Sequence, residues 1–474
     1  MYALQHITRR HLSLLLLPGL LAVFSCKKLI QTPPNSPTQI ASTQVFGDSL
    51  DVMSAVAGMY NAIGVSLGGQ DFLNGGLTVY TGLTGDEVSY LGSSYYTDQS
   101  LNEFGNNTIS ATDNLDLANM WTNAYTNLYD VNACLVGVSG STGISAGLKQ
   151  QLVGEIETVR ALYYFNLVNL FGDVPLVTTT NYQVNAVLAR TPADSIYNQI
   201  IADLTDAQQK LVPAYPSAGR ARPNLYTAMA LLAKVYLYRG RWADAETACT
   251  PVLNSGLYSL VSDLNNVFLD GSTEAIWQLP PNSTYYQTSE PLAFIPYTST
   301  TAPTYPITSY LLNAFAAADQ RPVNWMGIAQ VSSGSTVTQY YYPYKYKNTS
   351  TGASTQEDYM MLRLADLLLI RAEARARQNE TTDALGDLNM VRVRAGLTSL
   401  GSMAQTDLVD SVLSERRREL FSEWGNRWFD LKRTGTIDAV LSKEKSNWRP
   451  FDSLYPIPFQ ELIANPNLIQ NPGY

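Results

Sequence analysis

The stretch "NLYTAMALLAKVYLYRGRWADAETACTPVLNSG" (224–256) decides the fold. Apolar residues recur there at helical spacing on both sides of Gly240. Small residues (Ala228, Ala233, Ala245, Ala248) alternate with large ones (Tyr236, Trp242). That is the grammar of a tetratricopeptide-like helix pair, in which each pair buries its face against the next. The large residues, Trp242 among them, are expected to be buried.

Working outward, further helices are expected at 115–138, 148–172, 191–211, 357–378, 382–396 and 407–435. Asp48 is placed to cap a first helix. Thr191, Pro192 and Asp194 are placed to open the helix at 191–211. Residues 64–112 show little periodicity, and the helical pattern lapses again over 257–357. Within that second lapse "EAIWQL" (274–279) alternates like a half-buried strand, and "YYYPYKYKN" (340–348) suits a strand or an extended loop. Long irregular insertions in a regular chain are often functional.

Near the start, "SLLLLPGLLAVFSCKK" (13–28) follows Arg9 and Arg10. The apolar run is too short to span a bilayer. It has the form of a secretory signal peptide ending at a lipobox, with Cys26 as the acylated first residue of the mature chain. The expected organisation is a signal peptide over 1–25, a Pro- and Ser-rich tether over 26–46 and a helical domain over 47–474, with insertions at 64–112 and 257–357. Both histidines, His6 and His11, fall in the signal segment, so the mature chain lacks the commonest general base and metal ligand. Cys134 and Cys249 remain, too few for a disulfide framework; they are expected as two buried thiols on helices, with one disulfide between them as the alternative. The whole chain carries a net charge of −9, which argues against nucleic acid.

Several motifs, in order, resemble the SusD/RagB family of Bacteroidetes outer-membrane lipoproteins: "VRALYYFNLVNLFGDVPLV" (159–177), "RPNLYTAMALLAKVYLYRGRWADAE" (222–246), "EAIWQL" (274–279), "LRLADLLLIRAEA" (362–374), "ERRRELFSEWGNRWFDLKR" (415–433) and "YPIPFQELIANPNLIQNPGY" (455–474). The resemblance implies a mainly α fold: a right-handed superhelix of tetratricopeptide-like repeats with a little β. It implies a non-enzymatic, lipid-anchored protein on the outer membrane, facing the cell surface. Such a protein would pass a glycan to a SusC-like TonB-dependent transporter. A peptide-binding RagB-like member and an anchored protein scaffold are the alternatives. A histidine-free glycosidase stands as a further one, because carboxylate pairs alone can cleave glycosides.

Sugar rings stack their C–H faces on aromatic rings, while their hydroxyls seek amides and carboxylates. The first insertion offers Phe72, Asn74, Tyr80, Tyr90, Tyr95 and Tyr96 as ligand contacts. The second offers Tyr285, Tyr286, Phe294 and Tyr297. Neither loop carries an Arg or Lys cluster, so a neutral glycan is expected. The charges of 415–433 are expected to fasten helices together. The adjacent Asp86 and Glu87 are expected to order their loop, through hydrogen bonds or a bound Ca²⁺; no cofactor is otherwise expected.

Overall fold

Asn224 caps its helix as its position suggests. Its Oδ1 accepts from the Thr227 amide at 2.9 Å, and Thr227 Oγ1 accepts from the Asn224 amide at 3.3 Å. In the computed structural model, residues 45–64, 71–92, 97–282 and 287–474 are described. The expected signal peptide, Cys26 and nearly all of the tether lie outside them.

The principal helices are α1 (Ser49–Gly64), α2 (Gly76–Thr84), α3 (Gln99–Asn106), α4 (Leu115–Gly140), α5 (Ala146–Phe171), α6 (Ala193–Lys210), α7 (Leu225–Tyr238), α8 (Trp242–Leu253), α9 (Leu364–Arg377), α10 (Thr381–Arg394), α11 (Gln405–Glu419), α12 (Asn426–Arg433) and α13 (Ile437–Glu444). From α4 to α11 each helix packs on the next, and α8 meets α9 across the long insertion. The stack is the expected tetratricopeptide-like array. Asp48 caps α1 as expected, accepting from the Leu50 and Asp51 amides. Thr191 does not cap α6. It pairs with Val174, and Asp173 accepts from the Ala193 amide at 2.8 Å instead.

Helix α5 lies at the centre. Every residue from Leu152 to Phe171 is buried, as fits a helix surrounded on all sides. Its buried charges are paired: Arg160 with Asp203 at 2.7 Å and Glu155 with Arg222 at 2.6 Å. Cys134 and Cys249 are free and buried. Trp242, by contrast, is only partly buried, with Arg377 over its ring at 5.3 Å. It sits at a repeat edge and contributes less than a core tryptophan.

Three sequence expectations change. The apolar run at 357–378 is split into a strand, β4 (Tyr359–Arg363), followed by α9; β4 pairs antiparallel with β1 (Ala275–Leu279). Both strands are buried throughout, and periodicity cannot separate a fully buried strand from a buried helix. For the same reason β1 is not half-buried. Its polar Gln278 lies inside, where Nε2 donates to Asp358 at 2.9 Å. The expected helix over 407–435 is broken between α11 and α12, where Ser422, Trp424 and Gly425 have positive φ. Tertiary hydrogen bonds hold that break: Trp424 Nε1 donates to Met360 O at 2.8 Å, and the Ser422 amide donates to Glu87 at 3.2 Å. The first insertion is also less irregular than its sequence, since it contains α2 and α3. The second forms a hairpin, β2 (Met326–Ser333) with β3 (Thr336–Pro343).

Under the hairpin lies a buried charge network. Arg363 bonds Glu419 at 2.6 Å and Glu423 at 2.8 Å, and reaches Glu274 at 3.4 Å. Arg321 bonds Asp319, Glu415 and Glu419. Arg394 joins Glu274 to Glu419, and Lys345 reaches Glu423. The charges of 415–433 therefore fasten helices, as expected, although several partners lie outside that stretch.

Not every buried carboxyl has a cation. Burial pushes Glu290 up to about 7, and the charges of Glu357 and Glu423 add to the rise. A carboxyl raised in the folded state contributes stability below its unfolded value near 4.5 and loses it as pH rises through about 7. Wild-type stability in urea is therefore expected to fall between pH 5 and pH 8, and Glu290→Gln is expected to flatten that fall. Equal slopes in the two proteins would refute this.

Candidate ligand-binding face

The two insertions are joined edge to edge. Residues 87–91 and 304–308 run antiparallel. The Ser89 amide donates to Pro306 O at 2.9 Å, Leu91 to Thr304 O at 2.8 Å and Thr308 to Glu87 O at 3.0 Å. The Ile307 amide then donates to Tyr341 O at 2.7 Å, and Gln330 to Ser299 O at 2.8 Å. One surface thus combines the early loop, the later loop and the β2–β3 hairpin.

Asp86 anchors its base. The carboxylate is fully buried and accepts from Arg427 Nε at 2.9 Å and Arg417 Nη2 at 2.6 Å. Burial alone would raise it, but the Arg427 hydrogen bond and the two guanidinium charges hold it below the ordinary carboxylate range. Glu87 beside it is pushed up to about 7 by burial and by the Asp86 charge. The pair orders the loop, as its sequence suggests. Among the described residues, no group of three or more His, Cys, Asp or Glu is placed to hold a metal.

The candidate contacts divide sharply. Asn74 is buried and its amide is used internally: Nδ2 donates to Gly64 O at 2.8 Å, and Oδ1 accepts from Ser289. Phe294 is also buried, packed edge-on against Tyr305 at 5.9 Å. Phe72 stacks on Tyr163 and Tyr80 on Phe104, both inside the core. These four are corrected from ligand contacts to framework, because aromatic and amide groups in an insertion also serve to hold that insertion down. Tyr90 is half-buried. Its hydroxyl accepts from the Asp98 amide at 2.7 Å and closes the neck of the loop. Tyr297 is 97% exposed, next to the Ser299–Gln330 hydrogen bond. Tyr95, Tyr96, Tyr285 and Tyr286 lie outside the described residues; their described neighbours Gly92 and Thr97 approach each other closely.

Sequence reasoning missed two concavities. One, of about 200 Å³, lies between α1 and the chain after β1, lined by Met53, Tyr60, Asn61, Arg222, Pro281 and Asn282. The other, of about 530 Å³, lies along α4 and is lined by Trp121, Tyr125, Tyr129 and Tyr182. The spacing of 121, 125 and 129 on one helix face was the available signal.

A stacked helical scaffold carrying a composite loop face is the build of a binding protein. Two family profiles match the chain: the SusD family over residues 281–474, and "starch-binding associating with outer membrane" over residues 50–237. The chain belongs to the SusD/RagB family, a family of binding proteins, and is not an enzyme. A SusD-like protein of Formosa agariphila is 26% identical, with 95% of this chain and 97% of that protein covered. The crystal structure of a SusD superfamily protein from Bacteroides vulgatus superposes with a TM-score of 0.78 at 22% identity, covering 90% of this chain and 99% of that one. A laminarin-binding SusD-like protein superposes with a TM-score of 0.74 at 22% identity, covering 90% and 100%. At that identity the two structures speak for the fold.

Proposed function

We propose that the protein captures a neutral glycan on the joined insertion face and delivers it to a TonB-dependent transporter of the outer membrane, to which a lipid on Cys26 keeps it close. The observation that carries this reading is Tyr297, fully presented to solvent beside the seam that unites the two insertions. An exposed aromatic ring on a hydrogen-bonded support offers a flat apolar platform at low ordering cost. Tyr95, Tyr96, Tyr285 and Tyr286 belong to the same two insertions and are the partners proposed for it. Residues 87–98 and 280–308 contain no Arg or Lys, which suits a neutral sugar better than a sulfated or uronic one. The laminarin-binding neighbour and the starch-binding description of the family point to the same ligand class.

Calorimetry against a panel of neutral oligosaccharides and short peptides tests this. Binding of at least one oligosaccharide without cleavage is expected. The triple change Tyr95→Ala, Tyr96→Ala and Tyr297→Ala should weaken that binding by about a hundredfold or more, since each lost ring removes on the order of 1–3 kcal/mol of apolar contact. The unfolding midpoint should not move. Undiminished affinity in the triple variant would refute the platform, and binding of peptides alone would favour a RagB-like role.

A further inference from the structure

The groove along α4 pairs a fixed aromatic floor with exposed rings. Trp121 is buried, edge-on to Phe171 at 5.1 Å and tilted over Tyr125 at 4.8 Å. The Tyr125 hydroxyl donates to Pro175 O at 3.0 Å. Tyr129 and Tyr182, which also line the groove, are 48% and 73% exposed. Residues 121, 125 and 129 lie on one helix face, so α4 carries aromatic surface along about 12 Å. The volume of about 530 Å³ is ordinary for a site that takes a small ligand.

Tyr182 is exposed but firmly mounted. Asn181 Oδ1 accepts from the Gln183 and Val184 amides at 3.1 and 3.4 Å, and Asn185 Nδ2 donates to Thr179 O at 2.7 Å. From the C-terminal tail, Asn465 Nδ2 donates to Leu188 O at 2.7 Å and Asn467 Nδ2 to Val187 O at 2.8 Å. A ligand that stacks on this ring need not order the turn first.

The groove also holds the half-buried carboxyl of Glu461. Burial raises it above the ordinary carboxylate range, the Trp121 side chain offsets part of that rise, and among the described residues no cation acts on it. Thr122 and Thr126, both exposed, add hydroxyls one position along from Trp121 and Tyr125. No Arg or Lys lines the groove, which excludes a design for anions. Its long wall is the side of a helix, so an extended peptide finds no strand edge to pair with. Flat rings, hydroxyls and an uncompensated carboxylate that accepts hydrogen bonds together suit a polyol with apolar C–H faces.

We propose that the α4 groove is a second sugar site, which takes a short neutral segment of a glycan with Tyr129 and Tyr182 as its stacking rings and Glu461, Thr122 and Thr126 as partners for its hydroxyls. It shares no residue with the joined insertion face. It rests on the glycan reading above for the class of ligand alone.

A 3-fluorotyrosine in place of Tyr182, observed by fluorine NMR in the full mature chain, tests this. Maltotetraose, cellotetraose, laminaritetraose and xylotetraose are titrated into the wild type and into the Tyr95→Ala, Tyr96→Ala, Tyr297→Ala variant. At least one sugar should give a saturable shift, with the same midpoint in both proteins. Tyr129→Ala, which removes a ring that is half in solvent, should raise that midpoint by about tenfold or more. No shift with any of the sugars, a shift in the wild type that vanishes in the triple variant, an unchanged midpoint in Tyr129→Ala, or a response to a proline-rich peptide alone would each overturn the proposal. A shift kept in the triple variant supports the groove whatever calorimetry shows at the insertion face, so the two readings fail separately.

Discussion

Arg363→Met should lower the unfolding free energy by about 3–5 kcal/mol, the usual cost of removing one partner from a buried ion pair. Arg363 is 2% exposed. It is the cation that both Glu419 and Glu423 share, at 2.6 and 2.8 Å. The methionine fills most of the volume, so the loss isolates charge from packing. It leaves Glu419 facing Arg321 and Arg394 but strips Glu423 to Lys345 alone. Adding Glu423→Gln to Arg363→Met should recover part of the loss, because the stranded charge is then gone. Urea unfolding of the three proteins at pH 7 measures this. A cost below about 1 kcal/mol for the single change would mean that the network is merely tolerated.

Asp86→Ala is the second large effect. It removes the carboxylate that holds Arg417 and Arg427, and so frees the base of the first insertion. A loss of about 3–5 kcal/mol is expected on the same grounds. Arg427→Ala on its own should also destabilise, and the double variant should cost clearly less than the sum. Additive losses would show that the pair is not coupled. The pH dependence has a definite sign. A carboxyl held below its unfolded value contributes stability above that value, near 3.8, and loses it as pH falls through its folded value. Wild type should therefore lose stability on acidification below about pH 4, and Asp86→Ala should lose less there. If the proposed face is correct, the same variant should bind glycan more weakly at a temperature where it remains folded.

The repeat array was legible because α4 to α8 are amphipathic, or apolar throughout, over about three to seven turns and carry local signals such as Asn224, Gly172 and Gly240. What escaped is set by distant contacts. Nothing local in "YMMLRLADLLLI" marks Arg363 as the last residue of a strand. β1 makes it so, from more than eighty positions away. The break at Ser422–Gly425 likewise depends on Glu87, Thr78 and Met360. At the candidate site, composition located the insertions but could not sort their aromatics. Tyr80, Phe72 and Phe294 look like Tyr297 in sequence, and only packing against Phe104, Tyr163 and Tyr305 separates them. The α4 groove was missed because Trp121, Tyr125 and Tyr129 also satisfy the pattern of an ordinary core-facing stripe.

The clamp on Asp86 has a kinetic corollary. Its partner Arg427 lies 341 residues further along the chain. A ribosome adding about 5–20 residues per second needs on the order of tens of seconds to make that stretch. Over that interval the helix pairs can stack in the order they are made, since each depends mainly on its neighbour. The first insertion cannot close until α12 exists. The face proposed to meet the ligand is therefore among the last parts of the molecule to take shape, and a chain truncated before residue 427 would hold a repeat array with no finished binding surface.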